Sequence, residues 1–255
     1  MSGVWRTDAG KVRAVNEDAV YFDQPDDGII LAMVADGMGG HKAGEVASGT
    51  AIDVIREELR HVNSRMLAHD ARNSLEAAIL KANQTIYERA QSDPQLSGMG
   101  TTIVVALITR EWGWIAHIGD SRAYAWQSSR LQPITADHSL VNELVKSGQL
   151  RADEASRHPQ RNILVRALGT DRFVEVEFNT YRPQPDDLLL LCSDGLTSML
   201  SDEEISQVLR SQGTIQEKAD RLLEQALHQG GEDNISLVLF TPPVRPEESR
   251  PTVDG

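Results

Sequence analysis

Residues 34–41 combine the end of an apolar run with an aspartate and closely spaced glycines. Asp36 follows the apolar run, and Gly37, Gly39 and Gly40 come after it. Glycines at this density are needed where a backbone turns sharply or approaches a small group closely. A carboxylate followed by accessible main-chain carbonyls suits a hard divalent cation. A tight turn capped by an aspartate is the alternative, and this segment alone leaves both interpretations open.

Three further aspartates occupy similar positions. Asp120 and Asp194 each follow an apolar run and lie beside a glycine, and Asp233 comes just before the last apolar run. Turn chemistry explains four such placements poorly. If these strand ends meet, the carboxylates repel one another unless cations neutralise them. We therefore predict a metal centre whose core carboxylate ligands are Asp36, Asp194 and Asp233.

The available ligand types indicate which metal the centre holds. The chain has one cysteine and seven histidines, without the spacing of a zinc site. Oxygen ligands alone favour Mg²⁺ or Mn²⁺. Two such ions, about 3.5 to 4 Å apart, lower the pKa of a bridging water and stabilise in-line displacement at phosphorus. The residues thus predict hydrolysis of phosphate esters.

Competing catalytic motifs are incomplete. Residues 119–123 nearly match the Gly-x-Ser-x-Gly turn of serine hydrolases, but Ala123 replaces the last glycine and a strand-like alternation follows instead of a helix. Residues 37–42 lack the final glycine of a dinucleotide-binding loop, and the chain has no Walker-type Gly-Lys-Ser/Thr. These motifs give no support to a serine hydrolase or a nucleotide-binding protein.

The elements that position these residues are predicted from periodicity. Apolar runs of strand length lie at 29–35, 101–109, 112–118, 188–192 and 235–240, and residues 122–126 alternate like a strand. Helical spacing occurs over 43–55 and 75–86, and capping boxes at 201–204 and 214–217 open two further helices. Strands in adjacent runs favour an α+β fold of antiparallel sheets covered by helices.

Bulk properties exclude several classes of protein. The 255 residues suit one large domain, and the formal net charge of −13 argues against a nucleic acid partner while suiting divalent cations. No apolar run approaches the length of a membrane helix. The chain start lacks a signal-peptide pattern, and the single Cys192 can form no internal disulfide. We therefore expect a cytoplasmic location.

Six short motifs, taken in order, resemble those of the metal-dependent Ser/Thr protein phosphatases, the type 2C or PPM family, in its compact bacterial form. They cover nearly the whole chain, and six in register are highly specific. The motifs are residues 13–18, 36–41 with Gly44 and Glu45, 100–102, 119–122, 193–196, and 233–234.

The resemblance implies a four-layer α-β-β-α sandwich, in which helix pairs flank two antiparallel β-sheets. It implies one catalytic domain over residues 1–240, with a variable flap at about 138–166 beside the site. For residues 241–255 we expect a disordered tail, because four prolines stand there among few apolar residues.

The resemblance also assigns roles to the acidic residues. Asp36 is expected to bridge two Mn²⁺ or Mg²⁺ ions, with the Gly37 carbonyl on one ion and with Asp194 and Asp233 completing the other. Asp120 together with Asp194 is expected to hold a weaker third ion. Asp18 is expected to fix metal-bound water, because partners outside the ligand set orient what the metal binds.

Arg13 and His41 are the expected substrate-handling residues. Arg13 corresponds to the phosphate anchor, since a guanidinium can engage two phosphate oxygens at once. An ordinary surface salt bridge is its alternative. His41 is a candidate general acid that protonates the departing serine or threonine oxygen. A structural role, or contact with a metal-bound water, is the alternative for His41.

The flap carries a local excess of basic residues. Five basic side chains stand against three acidic ones between residues 138 and 166. We hypothesise that this stretch, including Arg157 and Arg161, helps to hold an anionic phosphopeptide. The alternative is an ordinary solvated helix face.

The resemblance implies a protein phosphatase for phosphoserine and phosphothreonine. A water or hydroxide bridging the two metals would attack phosphorus directly, without a phosphoenzyme. Partners would be phosphorylated proteins, namely bacterial Ser/Thr kinases and their substrates, and we expect a monomer. The alternatives are a small-molecule phosphomonoesterase that uses the same site and a catalytically silent phosphoprotein-binding module.

Overall fold

The computed structural model describes residues 2–25, 28–40, 42–151, 154, 158–160 and 163–244. Eleven strands lie within these residues: β1 (Gly3–Asp8), β2 (Asp18–Asp23), β3 (Ile30–Met38), β4 (Gly100–Thr101), β5 (Ile103–Ile108), β6 (Gly113–Ile118), β7 (Arg122–Gln127), β8 (Arg130–Pro133), β9 (Glu177–Tyr181), β10 (Leu188–Cys192) and β11 (Ile235–Phe240). The described helices are α1 (Ala43–Glu58), α2 (Ala68–Ser92), α3 (Leu140–Lys146), α4 (Asp194–Thr197), α5 (Asp202–Arg210) and α6 (Ile215–His228), with a 3₁₀ turn at Pro94–Leu96.

The strands form two sheets. The first sheet has the order β1-β11-β10-β7-β8, and the second has the order β2-β3-β5-β6-β9, with β4 paired to β3. Every pairing between named strands is antiparallel. The predicted α+β class is therefore confirmed.

Three apolar layers hold the sandwich together. The inner faces of the two sheets pack on each other through residues such as Val34, Val104 and Leu191. The outer face of the second sheet packs against α1 and α2, and that of the first packs against α4, α5 and α6. Because both faces of each sheet are covered, central strands such as β10 are continuously apolar. The expected four-layer α-β-β-α arrangement is thus present.

The helices begin where the sequence predicts. The side chains of Ser201 and Thr214 each accept a hydrogen bond from the main-chain N–H three residues on. The side chains of Glu204 and Glu217 accept in turn from the main-chain N–H groups of Ser201 and Thr214. These capping boxes satisfy main-chain donors that the first turn of a helix otherwise leaves unpaired. Helices α1 and α2 both extend beyond the periodic stretches that predicted them.

The first and last strands, β1 and β11, pair in the first sheet. Gly3 pairs with Phe240 across β1 and β11, and the Thr241 N–H donates to the Ser2 carbonyl over 2.7 Å. Most of the expected tail, residues 245–255, lies outside the described residues. Within the described part of the chain, no helix has both the length and the apolarity to cross a bilayer.

Candidate active site

Asp18 and Asp36 lie side by side on neighbouring strands. The register of β2 and β3 places them directly opposite each other. The Ser193 hydroxyl donates to Asp18 Oδ2 over 2.8 Å, which ties β2 to the residue before Asp194. Asp18 Oδ1 is buried and has no hydrogen-bond partner among the described residues. One acceptor of this carboxylate is therefore left for a group outside the chain.

The main chain of Asp36 is fixed by two threonines. Its N–H donates to Thr102 Oγ1 over 3.0 Å, and its carbonyl accepts from Thr101 Oγ1 over 2.9 Å. β3 does not end at Asp36, as the apolar run predicted, but continues to Met38, since the next two residues pair with β4. Thr101 and Thr102 thus support the main chain on both sides of the Asp36 residue.

A close approach of two main-chain segments brings Asp194 and Asp233 together. A Cβ atom on Gly195 would lie 1.9 Å from the Asn234 carbonyl oxygen. Only glycine fits such a contact, so the start of α4 rests directly on the loop that carries Asp233. Asp194 is the first residue of α4 and follows β10 after Ser193 alone.

The loop that carries Arg13 is clamped to the same region. Asn234 Nδ2 donates to the carbonyls of Ala9 and Val15, over 3.0 and 2.9 Å. Arg13 Nη2 lies 2.8 Å from Asp233 Oδ2, and its side chain is 53% exposed. Arg13 thus forms a salt bridge, but with a predicted ligand, so both sequence interpretations are consistent with its position.

Asp120 lies two residues beyond the end of β6, and its charge is among those that raise the pKa of Asp36. It comes after Gly119 at the end of β6 and is partly exposed. Arg122 and Asp137 form a two-pronged ion pair close by, with both N–O distances at 2.8 Å. The charges of Asp137 and Arg122 both act on the Asp120 carboxyl.

Crowding and burial raise the pKa values of these carboxyl groups. Burial is the largest cause at Asp36, whose pKa lies well above its usual range. The neighbouring carboxylates that raise it further are those of Asp18, Asp194, Asp120 and Asp233. Burial also raises the pKa of Asp18 and of Asp120 to about 7, and Asp194 shifts in the same direction. Arg13 and Arg122 are paired with Asp233 and Asp137, so the carboxyl groups of Asp18, Asp36 and Asp194 have no ion-pair partner among the described residues.

Glu17 is a site residue that the sequence analysis left without a role. Its Oε1 is buried and has no hydrogen-bond partner among the described residues, and burial raises its pKa. Its N–H donates to Asn234 Oδ1, and its carbonyl accepts from the Gly37 N–H. The signal available in the sequence was its place between Asn16 and Asp18 in the first motif.

The donor set fits hard divalent cations. All five aspartates keep partial solvent contact, so ions can reach them. Buried acceptors without partners, on Asp18 and Glu17, lie among carboxylates whose pKa values are raised. Cations that bind oxygen would relieve both the repulsion and the unmet hydrogen-bonding capacity.

A second group of possible metal ligands consists of His117, His138 and Glu177. Unlike the aspartate cluster, this group contains two histidines. The potential ligand atoms of the three residues lie within 4.8 Å of one another. The two imidazole rings stack, however, with centroids 4.5 Å apart and planes at 19°. Ring-nitrogen lone pairs lie in the ring plane, so stacked rings do not aim at one common ion. This group is better described as a hydrogen-bond network.

Three predicted residues cannot be placed. His41, Arg157 and Arg161 lie outside the described residues, so the general-acid and flap hypotheses stay predictions. Cys192 is buried within β10, and burial raises the pKa of its thiol to about 12.

Comparison with known proteins identifies the family. A family model described as protein phosphatase 2C matches residues 9–232. The chain belongs to the protein phosphatase 2C family. This phosphatase is 41% identical over 239 residues to the serine/threonine phosphatase stp of Listeria monocytogenes, with 94% of this chain and 95% of the relative covered.

Solved structures agree with this assignment. The S. agalactiae serine/threonine phosphatase has a TM-score of 0.88 to this phosphatase at 37% identity, covering 94% of this chain and 99% of the other. The catalytic domain of the serine/threonine protein phosphatase PstP, solved in complex with 2 manganese ions, has a TM-score of 0.80 at 36% identity, covering 93% and 96%. The predicted family, fold and reaction are confirmed: this is a protein serine/threonine phosphatase.

Proposed function

We propose that Asp36, Asp194 and Asp233, with the Gly37 carbonyl, hold two divalent cations, Mn²⁺ or Mg²⁺, for hydrolysis of phosphoserine and phosphothreonine. The observation that carries the proposal is the convergence of four other carboxylates on that of Asp36, whose pKa is raised by burial and by their charges. A PstP catalytic domain solved with 2 manganese ions supports it by similarity. Bound there, the cations would supply Lewis acidity to activate water and to neutralise charge on the phosphoryl group.

Asp18 holds and orients water beside the cations. Its Oδ2 is fixed by the Ser193 hydroxyl, whereas Oδ1 faces no protein donor in the described chain. A fixed carboxylate with one open acceptor can receive a hydrogen bond from water and hold it in line with phosphorus. Glu17 offers a second buried acceptor for the same purpose.

Arg13 anchors the phosphate of the substrate. In the structure its guanidinium is paired with Asp233 and half exposed. A cation held by Asp233 would share the charge of that carboxylate, and the half-exposed guanidinium of Arg13 could then pair with phosphate oxygens. The Asn234 clamp keeps the Arg13 loop at the edge of the cluster during this exchange.

Two further roles complete the proposal. His41 would protonate the departing serine or threonine oxygen, a role open to histidine because an imidazole can carry a proton near neutral pH. Asp120, together with Asp194, would hold a third and weaker cation, supported by the proximity of their charges.

We expect the enzyme to oppose bacterial Ser/Thr kinases by acting on the proteins that they phosphorylate. Relatives named serine/threonine phosphatase in Listeria and Mycobacterium support this setting. We also propose a monomer, a cytoplasmic location, and a single catalytic domain over residues 1–240. The buried thiol of Cys192 is consistent with a reducing compartment.

The decisive experiment offers purified protein a phosphothreonine peptide and a phosphosugar, with Mn²⁺ or with chelator. Asp194→Asn is the test variant. Asp53→Asn is the matched control, because its carboxylate is 73% exposed on α1 and pairs only loosely with Arg56. We expect Mn²⁺-dependent turnover of the peptide, abolished in the first variant and retained in the second.

Other experimental outcomes would indicate a different mechanism or function. Turnover in chelator, or full activity of Asp194→Asn, would contradict the metal mechanism. Selective cleavage of the phosphosugar would indicate a small-molecule phosphomonoesterase. Tight binding of the peptide without turnover would indicate a silent binding module.

A further inference from the structure

The loop that carries Asp120 is fixed on both sides. The Gly119 N–H donates to His138 Nδ1 over 3.2 Å, and the His138 main-chain N–H donates to the Gly119 carbonyl over 2.9 Å. On the other side the hydroxyls of Ser121 and Thr102 lie 2.7 Å apart. The Asp120 backbone is therefore held between two hydrogen bonds at Gly119 and one contact at Ser121, while its side chain stays partly exposed.

Gly119 is forced into its conformation by the same packing. Its φ is +106°, and a Cβ atom there would lie 2.6 Å from Thr102 Cγ2. Only glycine occupies this backbone region readily, and only glycine leaves room for Thr102. The turn consequently directs the Gly119 N–H at the ring of a residue that is 19 positions further along the chain.

The ring of His138 is held in one neutral tautomer. Because Nδ1 accepts from a main-chain N–H, the ring proton must sit on Nε2, which donates to Glu177 Oε2 over 3.1 Å. The ring is fully buried, and burial lowers its pKa. His117 stacks on it and gives its own Nε2 proton to the Ala136 carbonyl. Glu177 thus selects the tautomer that Gly119 requires.

His138 also connects this loop to the flap. Its carbonyl accepts from the Val165 N–H over 2.9 Å, and the next residue, Ser139, forms a bridge with Leu164. One buried residue therefore joins three segments: the Asp120 loop, β9 through Glu177, and the last residues of the flap through Val165.

We propose that His138 is a positioning residue that sets the Asp120 carboxylate for its cation by accepting the hydrogen bond of Gly119. The proposal rests on the proposed function, in which Asp120 and Asp194 hold the weaker third cation. His138 itself binds neither metal nor substrate. Its acceptor nitrogen fixes the main chain one residue before the ligand, as partners outside the ligand set do in metal sites.

Two variants of His138 separate this role from general packing. In His138→Asn the side-chain carbonyl can take the place of Nδ1 and accept from Gly119, but the contact with Glu177 is lost. In His138→Gln the longer amide can keep a donor near Glu177, but the acceptor beside Gly119 is lost. Both variants lose the ring stacked on His117, so that loss cancels in the comparison.

The measurement is Mn²⁺ binding by titration calorimetry, with free Mn²⁺ followed in parallel by electron paramagnetic resonance. We expect His138→Gln to weaken the lowest-affinity ion at least tenfold, within the 10- to 100-fold range of such partners, and to leave the two tighter ions within about twofold. His138→Asn should stay within about twofold of wild type for all ions. Equal weakening in both variants, or no weakening in His138→Gln, would overturn the positioning role.

Asp120→Asn distinguishes failure of this proposal from failure of the proposed function. If Asp120→Asn loses the weakest ion but His138→Gln does not, only the positioning role is wrong. If Asp120→Asn still binds three ions, the third site itself is misassigned and both fail. Release of an ion in His138→Asn but not in Asp120→Asn would instead place a metal at the histidine and glutamate group.

The unmodified protein provides a test that does not depend on folding of the variants. Ring ¹⁵N chemical shifts of His138, recorded with Mg²⁺ because it is diamagnetic, should show a proton on Nε2 and an accepting Nδ1. They should stay unchanged as Mg²⁺ is titrated. A proton on Nδ1 would contradict the hydrogen bond from Gly119, and direct metal coordination would contradict the positioning role.

Discussion

At the scale of single residues, the site is a set of carboxylates that the fold holds close against their repulsion. Asp194 lies next to Asp36 and Asp233, and burial and the Asp233 charge both raise its pKa. The Asp36 carboxyl, whose own pKa is raised well above its usual range, lowers the pKa of Asp194 in part. The free protein is therefore less stable than its packing alone would make it, and bound cations recover the difference.

Asp194→Asn should accordingly raise thermal stability in chelator while abolishing activity. An asparagine amide can donate to Asp36 without adding charge. We expect a gain of about 1 kcal/mol, which corresponds to about 2–4 °C in a domain of this size. Mn²⁺ should raise the melting temperature of wild type more than that of the variant. Differential scanning fluorimetry with and without Mn²⁺ measures both, and a lower melting temperature of the variant in chelator would contradict the repulsion.

The pH dependence of stability in chelator follows from the same carboxyl groups. The pKa values of Asp18 and Asp120 are raised to about 7, from about 3.9 in an unfolded chain. Between about pH 4 and 7 the folded state therefore binds more protons than the unfolded state. The stability contributed by these protons is complete below pH 4 and is lost as the pH rises through 7.

Two histidines act in the opposite sense. Burial lowers the pKa of His117 and of His138, so their contribution increases as the pH rises. The effect of the carboxyl groups is therefore measured as a difference in the free energy of unfolding by urea. The two proteins compared are the wild type and the double variant Asp18→Asn, Asp120→Asn. We expect this difference to favour wild type more at pH 5.5 than at pH 7.5. A difference that does not change with pH would refute the raised pKa values.

How far the site could be predicted depends on which contacts are local in sequence. Asp36, Asp120 and Asp194 were predicted because each follows an apolar run and lies beside a glycine, and Asp233 because it comes just before the last apolar run. Their convergence, however, depends on strand register and on the contact of Gly195 with Asn234, which no local pattern encodes. Glu17 and His138 were missed for the same reason: the partners that reveal them are Asn234 and Gly119, distant along the chain.

At the scale of elements, the loop before β2 is positioned by one asparagine. Asn234 is buried, accepts from the Glu17 N–H, and donates to the carbonyls of Ala9 and Val15. Asn234→Ala removes these three bonds and leaves main-chain groups unpaired, at a cost of about 2–3 kcal/mol. We also expect the KM for a phosphopeptide to rise about tenfold, because Arg13 loses its fixed position; that is equivalent to about 1.4 kcal/mol.

Urea unfolding and steady-state kinetics check this prediction. Asn63→Ala is a suitable control, because in the described part of the chain the side chain of Asn63 bonds to neighbours within an exposed turn beyond the C-terminus of α1. A variant of Asn234 with reduced stability but an unchanged KM would show that the clamp does not govern the placement of Arg13.

The same scale explains which strands could be predicted. The central strands β3, β5, β6, β10 and β11 are apolar on both faces and appeared as continuous runs. The four edge strands, β1, β8, β2 and β9, were not predicted from the sequence. Edge strands are partly solvated and carry polar residues, so their composition resembles that of loops.

At the scale of the whole molecule, the two sheets bury their inner faces against each other. Phe240 and Leu189 of the first sheet share one apolar layer with Val34 and Ile108 of the second. The acidic cluster also draws on both sheets, since Asp36 belongs to β3 and Asp194 follows β10. Both sheets are therefore needed to hold the predicted cations. Separation of either sheet from the other would expose the shared apolar layer to water.

Residues 1–240 should therefore unfold as one cooperative unit. Trp126 of β7 reports on the first sheet and Trp114 of β6 on the second, and each can be kept as the principal fluorophore by changing the other tryptophans to phenylalanine. In urea, we expect each variant to show the same midpoint by fluorescence as by far-ultraviolet circular dichroism. Comparing the two probes within a variant removes any loss of stability caused by the substitutions. A Trp126 midpoint that differs from the circular dichroism midpoint would show that the first sheet unfolds separately, since two-state unfolding requires all probes to coincide.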